Sequence, residues 1–189
     1  EVGYTHVYGP DIAPDGAAPE RADYRQVVLV DWLRNAIARL NPEIPNVARE
    51  DALKQVLDLA VPSQLAANRQ FHKLLVNGVP VQYQKVGDTV GDLVRLVDFA
   101  DVVANEWLAI NQVSIKGHHN ANSYTRRPDI ILFVNGLPLV LLELKNPADE
   151  TADIWKAFDQ IQTYKEQIPD VFEYNELLVI SDGSDARFG

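Results

Sequence analysis

Hydrophobic residues recur at helical spacing through the first part of the chain. Three segments carry this period, which places apolar side chains on one helical face: residues 23–40, 47–59 and 63–75. Asn41-Pro42 ends the first segment and Asn77-Gly78 ends the third, since both dipeptides interrupt helices. Residues 1–22 are broken by glycine and proline, which predicts an irregular lead-in. The pattern therefore predicts a mostly helical portion over residues 1–78.

From residue 79 onward the apolar pattern is that of strands. Six segments are short and either alternating or continuously apolar: residues 79–85, 93–99, 107–115, 130–134, 139–144 and 176–180. Asn135-Gly136 is a strong hairpin signal, so the strands on either side are expected to be antiparallel neighbours. A helix is predicted over residues 152–168. This order predicts an α/β fold with a mixed β-sheet flanked by helices, in which residues 79–189 form the core and residues 1–78 pack on it as one compact domain.

The composition is that of a single globular domain. The chain has 189 residues, of which 47% are hydrophobic and 23% charged, a size that buries a proper core. No apolar run approaches the roughly 18 residues of a membrane span, so no membrane partner is expected. The lack of cysteine and of a signal-peptide pattern predicts a cytoplasmic location. The lack of methionine and the ends at Glu1 and Gly189 lead us to expect a fragment of a longer chain.

Three charged residues flank the otherwise apolar hairpin around Asn135-Gly136. Asp129 precedes its first strand, and Glu143 and Lys145 end its second. Burying each charge costs several kcal/mol unless it is paired or bound to a metal. Strand residues two apart point to the same face, so Glu143 and Lys145 project together with the Leu144 carbonyl between them. These residues are the candidate site.

The register of the hairpin decides whether Asp129 meets Glu143. A strict two-residue turn would place Asp129 opposite Leu142, on the other face from Glu143. One extra residue, in the loop or as a β-bulge, would bring Asp129 across from Glu143. Pro138 cannot donate to the ladder, so it is a plausible place for the irregularity. We therefore predict a bulge or a splayed pair.

With that register the site suits a metal-dependent hydrolase. The carboxylates of Asp129 and Glu143 and the carbonyl of Leu144 are hard oxygen ligands of the kind that Mg²⁺ takes. Lys145 could position or deprotonate a water that attacks a phosphodiester, without a covalent intermediate. The alternative is a structural Glu143–Lys145 pair at a strand end, with Asp129 capping a turn.

The motif resembles a known signature. The chain resembles the PD-(D/E)xK nucleases in the motif Pro128-Asp129, thirteen residues and then Glu143-Leu144-Lys145. The surrounding sequence resembles the N-terminal region of type I restriction R subunits over most of the chain. The resemblance implies a restriction-endonuclease-like core and the activity of a Mg²⁺-dependent type I site-specific deoxyribonuclease. It also implies that Gln160 and Tyr164, four apart on the helix after the lysine, contact DNA.

The resemblance further implies partners and a larger chain. Family members carry an ATP-driven motor and assemble with methyltransferase and specificity subunits. No GxxxxGK[ST] motif occurs here, so ATP is expected to bind only the full-length subunit. The net charge of -10 predicts that this chain alone has weak affinity for DNA. Other domains are expected to hold the DNA. Arg126 and Arg127 could contact phosphate, and a solvated loop is the alternative.

Two other functions compete with this interpretation. One is a PD-(D/E)xK repair nuclease that acts alone, for which a basic DNA groove would be needed. The other is a docking module of the same assembly that keeps the fold without binding metal. The histidines do not favour either function: His72 is expected to be a hydrogen-bonding residue, and His118 and His119 are expected in a polar loop.

Overall fold

The structure, a computed structural model, describes residues 3–59, 61, 63–145 and 154–189. Four α-helices lie within these ranges: α1 (Val30–Leu40), α2 (Asn46–Leu57), α3 (Gln64–Asn77) and α4 (Ile154–Gln167). The strands are β1 (Thr5–Tyr8), β2 (Val79–Lys85), β3 (Asp88–Val94), β4 (Trp107–Asn111), β5 (Ile115–His119), β6 (Asn122–Arg126), β7 (Ile130–Val134), β8 (Leu137–Leu144), β9 (Leu177–Ser181) and β10 (Ala186–Phe188). Short 3₁₀ turns cover Val102–Ala104 and Pro169–Glu173.

Six of the strands form one sheet in the order β1-β4-β7-β8-β9-β10. The pairs β1–β4 and β8–β9 are parallel, whereas β4–β7, β7–β8 and β9–β10 are antiparallel. The remaining strands form two separate hairpins, β2–β3 and β5–β6. The predicted fold class is confirmed: the protein is α/β, with a mixed sheet flanked by helices.

One face of the large sheet is buried beneath helices. Its central side chains are less than 4% exposed: Leu108, Ile110, Ile131, Phe133 and Leu141. Helix α4 contacts β8 and β9 and turns Ile161 and Tyr164 into the same core. Alternation along β8 continues this face from Leu141 to Glu143, so the candidate site lies where the covered face ends.

Helix α1 begins later than its apolar period predicts, at Val30 rather than residue 23. The cause is Arg21, which is 4% exposed. Its guanidinium donates to the carbonyls of Tyr24, Gln26 and Ser114. A carbonyl that already accepts from a buried arginine gains little from a helical partner. The segment before Val30 accordingly forms turns and bends instead of a helix.

The strand predictions fail where a strand is polar or very short. Strands β1 and β10 were not expected, and β1 joins the sheet although it lies within the predicted helical portion. The predicted strand 107–115 ends at Asn111, and the unexpected hairpin β5–β6 follows it. The histidines at 118 and 119 are therefore in strand β5 and not in a loop. The predicted strand 93–99 is also displaced, because β3 ends at Val94.

Helix α4 confirms the predicted helix 152–168 from Ile154 to Gln167. Residues 152 and 153 lie outside the described residues. Within the described ranges, no helix is both long and apolar enough to cross a membrane.

Candidate active site

The hairpin β7–β8 contains the predicted irregularity. Ile130 pairs with Leu142, but Phe133 pairs with Pro138, and the register shifts between Leu132 and Phe133. Leu139 is therefore the extra residue, directly after Pro138. Continuing the ladder by one pair places Asp129 across from Glu143. The predicted β-bulge is confirmed, and it puts both carboxylates on the covered face.

Main-chain groups on both neighbouring strands hold Asp129. Its carboxylate Oδ2 accepts a hydrogen bond of 2.7 Å from the N–H of Leu144. Its own carbonyl accepts from the N–H of Gln112 at 3.1 Å. Since the N–H and C=O of a strand residue point to the same edge, the Leu144 carbonyl also faces β7. The two carboxylates and this carbonyl thus lie at one end of the β7–β8 ladder.

Glu143 is the buried acid of the site, with 4% of its surface exposed. Its Oε1 accepts from Lys145 Nζ at 2.8 Å, and its Oε2 accepts from the Tyr164 hydroxyl at 3.2 Å. Burial raises the pKa of Glu143, and the negative charge of Asp129 raises it further, while Lys145 and Tyr164 oppose the shift. The site therefore holds more negative charge than its own lysine compensates.

Lys145 is fixed at its main chain as well as its side chain. Its N–H donates to the carbonyl of Ser181 on β9 at 2.7 Å. The side chain is 24% exposed, so the ammonium reaches the solvent edge of the site while it pairs with Glu143. A lysine placed in this way can face both a carboxylate and an incoming water or phosphate.

Gln160 and Tyr164 come from α4, one helical turn apart. Burial and the negative charge of Glu143 raise the pKa of Tyr164 far above its ordinary value, so its hydroxyl stays a donor. A hydrogen bond from the Gln160 side chain reaches the same tyrosine and opposes that shift. The structure thus brings the predicted pair to the candidate site, as a chain of hydrogen bonds that ends on Glu143.

The two predicted arginines separate in the structure. Arg126 is half-buried, donates to Gln167 at the end of α4 and lies 5.7 Å from the centroid of the Tyr124 ring. Arg127 is exposed. The histidine of α3, His72, forms a hydrogen bond of 2.7 Å with Glu176. This contact fits the hydrogen-bonding role predicted for it.

The donor set fits a hard divalent cation. Within the described ranges no three acidic, histidine or cysteine side chains converge on one point, so the candidate ligands are two carboxylates and one main-chain carbonyl. Mg²⁺ characteristically takes few protein oxygens and keeps several waters. The raised pKa of Glu143 also marks a place where added positive charge is favourable. The Asp129, Glu143 and Leu144 oxygens therefore fit the expected ion.

Sequence reasoning missed the main-chain groups that position these side chains. The N–H of Leu144 aligns Asp129, and the carbonyl of Ser181 aligns Lys145. Backbone groups carry no residue signature, so only the register itself could have indicated them.

Comparison with known proteins assigns the chain to a family. A model described as the type I restriction enzyme R protein N terminus matches residues 1–189. The chain belongs to this family. A type I restriction enzyme HindI endonuclease subunit from Haemophilus influenzae is 42% identical over 188 residues, covering 100% of this chain and 18% of that subunit. A Methanocaldococcus jannaschii protein, provisionally named the MjaIXP endonuclease subunit of a type I restriction enzyme, is 30% identical over 189 residues with the same coverages, 100% and 18%.

The family members include shorter matches as well. The type I restriction enzyme SsaAORF53P endonuclease subunit from Staphylococcus saprophyticus is 38% identical over 85 residues, or 44% of this chain and 8% of that subunit. The chain spans 18% of the length of each of the two relatives that cover it fully. It therefore corresponds to the N-terminal part that the family description names.

Proposed function

We propose that this chain is the DNA-cleaving part of a type I restriction enzyme R subunit, a PD-(D/E)xK nuclease that hydrolyses phosphodiester bonds with Mg²⁺. One observation carries the proposal: the bulge at Leu139 sets Asp129 beside Glu143, and Lys145 lies 2.8 Å from that buried carboxylate. Both relatives that cover the chain are named endonuclease subunits of type I restriction enzymes. The relatives' names support a nuclease, and the geometry of the site supports metal-dependent hydrolysis.

The side chains divide the work at the scissile phosphate. Asp129, Glu143 and the Leu144 carbonyl would hold Mg²⁺, which when bound polarises the phosphoryl group and lowers the pKa of a coordinated water. Lys145 orients the attacking water or stabilises charge that develops on the phosphate. Tyr164 fixes the Glu143 carboxylate through its hydroxyl, and Gln160 in turn fixes Tyr164.

The proposal extends to the substrate and the partners. The substrate is duplex DNA, and the ATP-driven motor lies in the rest of the R subunit. Methyltransferase and specificity subunits complete the assembly and choose the site. The net charge of -10 fits a nuclease that does not hold the duplex by itself, because affinity for DNA comes mainly from lysine and arginine.

Calorimetric titration with Mg²⁺ and Mn²⁺ tests the metal site. Wild type should bind the ion, and Asp129→Ala and Glu143→Ala should each abolish or strongly weaken binding, because each removes one of two carboxylate ligands. Glu166→Ala, an exposed acid on α4, is the matched control and should bind as wild type does. Absence of binding in every variant, wild type included, would favour the docking module instead.

Activity in the assembled enzyme tests the chemistry. Lys145→Ala should abolish DNA cleavage while ATP hydrolysis and translocation continue, because the motor does not depend on this side chain. Retained cleavage would refute the proposed role of Lys145.

A further inference from the structure

The hairpin β5–β6 differs in charge from the rest of this acidic chain. Asp and Glu total 27 against 17 Lys and Arg, yet no acidic residue occurs between Glu106 and Asp129. That stretch contains the whole hairpin. It carries Lys116, two of the four histidines and the arginine pair that precedes Asp129. Its positive charge is therefore local and lies next to the candidate site in sequence.

The hairpin is tied to the body of the protein along its base. The N–H of Lys116 donates to the carbonyl of Tyr24 at 2.8 Å. Gly117 lies so close to the Gln167 carbonyl at the end of α4 that a Cβ would collide with it. Arg126 of β6 donates to the Gln167 side chain. These contacts hold the hairpin in one orientation relative to α4, which also carries Gln160 and Tyr164.

The register of the hairpin separates its two faces. Ile115 and Gly117 are buried on the face toward α4. The opposite face carries four exposed hydrogen-bonding side chains, cross-strand partners in two pairs: Lys116 with Thr125 and His118 with Ser123. Arg25, also exposed, reaches this face, where its guanidinium lies 3.3 Å from the His118 ring. The outer face thus combines cations with hydroxyl groups, the side chains that contact phosphate oxygens in nucleic-acid complexes.

Three acidic residues lie near this face, and one of them, Asp15, accepts a hydrogen bond from the Tyr24 hydroxyl. Asp23 is engaged by the N–H groups of Arg25 and Gln26. Asp170, on the 3₁₀ turn after α4, interacts electrostatically with Arg25 and His118. Lys116 instead lies over the Tyr24 ring, 4.7 Å from its centroid. Arg25, Lys116 and His118 nevertheless remain exposed side chains.

We propose that the outer face of hairpin β5–β6 binds the sugar-phosphate backbone of the DNA whose strand enters the active site. The inference rests on the proposed nuclease function and adds a surface to it. Strand β6 leads through Arg127 and Pro128 directly into Asp129, so a phosphate bound at the proposed metal site beside Asp129 brings the adjoining backbone past the hairpin. Five strand residues extend about 16 Å, enough to follow several phosphates. Binding of this kind is independent of sequence.

An acidic protein surface could also be attracted to these cations. DNA is favoured because the hairpin ends at Arg126, three residues before the proposed metal ligand Asp129, and because the face offers serine and threonine hydroxyls beside the charges. A protein partner is therefore the contrasting outcome of the test.

The first measurement is the salt dependence of DNA binding by the complete R protein, using fluorescence anisotropy with a short labelled duplex. Each lost phosphate contact should lower the slope of log K against log salt by about 1. Lys116→Ala and Arg25→Ala should each show that change. Lys85→Ala, an exposed lysine on the other hairpin, should leave the slope unchanged. Thermal melts of each variant establish that it is folded.

The second measurement is site-specific cross-linking in the assembled enzyme. A photo-reactive residue at Ser123 should cross-link to DNA, whereas the same residue at Thr89 of hairpin β2–β3 should not. The reaction is run with EDTA, so it needs no metal and no cleavage. Unchanged salt slopes, or a Ser123 cross-link to another subunit rather than DNA, would overturn the proposal. Failure of Mg²⁺ binding with cross-linking retained would instead contradict the nuclease function alone.

Discussion

Replacing Glu143 with glutamine should make the metal-free protein more stable. Glutamine keeps the shape of the side chain and removes its charge. The carboxylate is 4% exposed and lies beside Asp129, whose charge raises its pKa. Because the folded protein raises this pKa, ionised Glu143 destabilises the fold at neutral pH relative to a neutral group. Glu143→Gln removes that penalty.

The size of the effect is a difference between opposing contributions. The variant loses two charge-assisted hydrogen bonds, from Lys145 and Tyr164, each worth about 1.5–3 kcal/mol. Two other changes stabilise the variant. It no longer bears the cost of desolvating a buried carboxylate, which is several kcal/mol, and it is no longer repelled by Asp129. Because the pKa of Glu143 is raised, these two stabilising changes outweigh the loss of the two hydrogen bonds. We expect the free energy of unfolding to rise by about 1 kcal/mol, the size of a typical single-substitution effect.

Urea denaturation in EDTA at neutral pH measures this difference. The advantage of the variant should shrink as the pH falls through the raised pKa of Glu143, because wild type then becomes neutral too. Saturating Mg²⁺ should reverse the order, since a ligand at 100 times its Kd stabilises wild type by about 2.7 kcal/mol. Glu166→Gln, exposed on α4, should change stability by less than about 0.5 kcal/mol. A variant less stable than wild type in EDTA would refute the reasoning.

Three further changes test the backbone and the loops. Gly136→Ala should lower the free energy of unfolding by at least about 2 kcal/mol in urea, because φ is +83° and a Cβ would lie 2.5 Å from the Leu29 carbonyl. Ala121→Gly should raise it by up to about 1 kcal/mol, because Ala121 has φ +64° at the tip of β5–β6; an unchanged value would contradict strain there. The N–H groups of Asp101 and Ala100 lower the pKa of Asp98, so its stabilisation is complete above its ordinary pKa and is lost as the pH falls through the lowered one. Asp98→Ala should therefore lower the Tm at pH 7 and match wild type in strong acid, and a difference independent of pH would exclude this cause.

The geometry of the candidate site was predictable because its parts are close together in sequence. Alternation along β8 and the Asn135-Gly136 turn determine which side chains share a face, so the register could be worked out by counting. The bulge followed from the requirement that two charges meet and from a proline in the ladder. The geometry of Gln160 and Tyr164 could not be counted in this way, since it depends on how α4 packs on the sheet.

Some parts of the fold could not be predicted because polar contacts position them, and such contacts leave no apolar periodicity in the sequence. The segment after β3 looks like a strand because Leu96 and Val97 are buried. Side-chain amides take the place of a partner strand there: Asn41 bonds the main chain of Arg95, and Asn135 bonds the carbonyl of Leu96. The sequence predicts only a turn at Asn135, yet this residue is fully buried.

The short and polar strands were missed for a related reason. Three of the four residues of β1 and all three of β10 are exposed, so neither carries an alternating pattern. Hairpin β5–β6 turns through Asn120 and Ala121, both with positive φ. Turns of this kind normally contain glycine. Because no glycine stands at positions 120 and 121, the sequence does not predict the hairpin.

The bulge at Leu139 also affects how this site can vary by insertion and deletion. Thirteen residues separate Asp129 from Glu143 here, and one of them is the bulge. A relative with a straight ladder would need one residue fewer to keep the same two carboxylates face to face. The gap between them can therefore shorten by one residue at Leu139 without loss of the pairing. The same deletion between Leu139 and Glu143, with the bulge retained, would turn Glu143 to the opposite face. In this hairpin, the position of an indel matters more than its length.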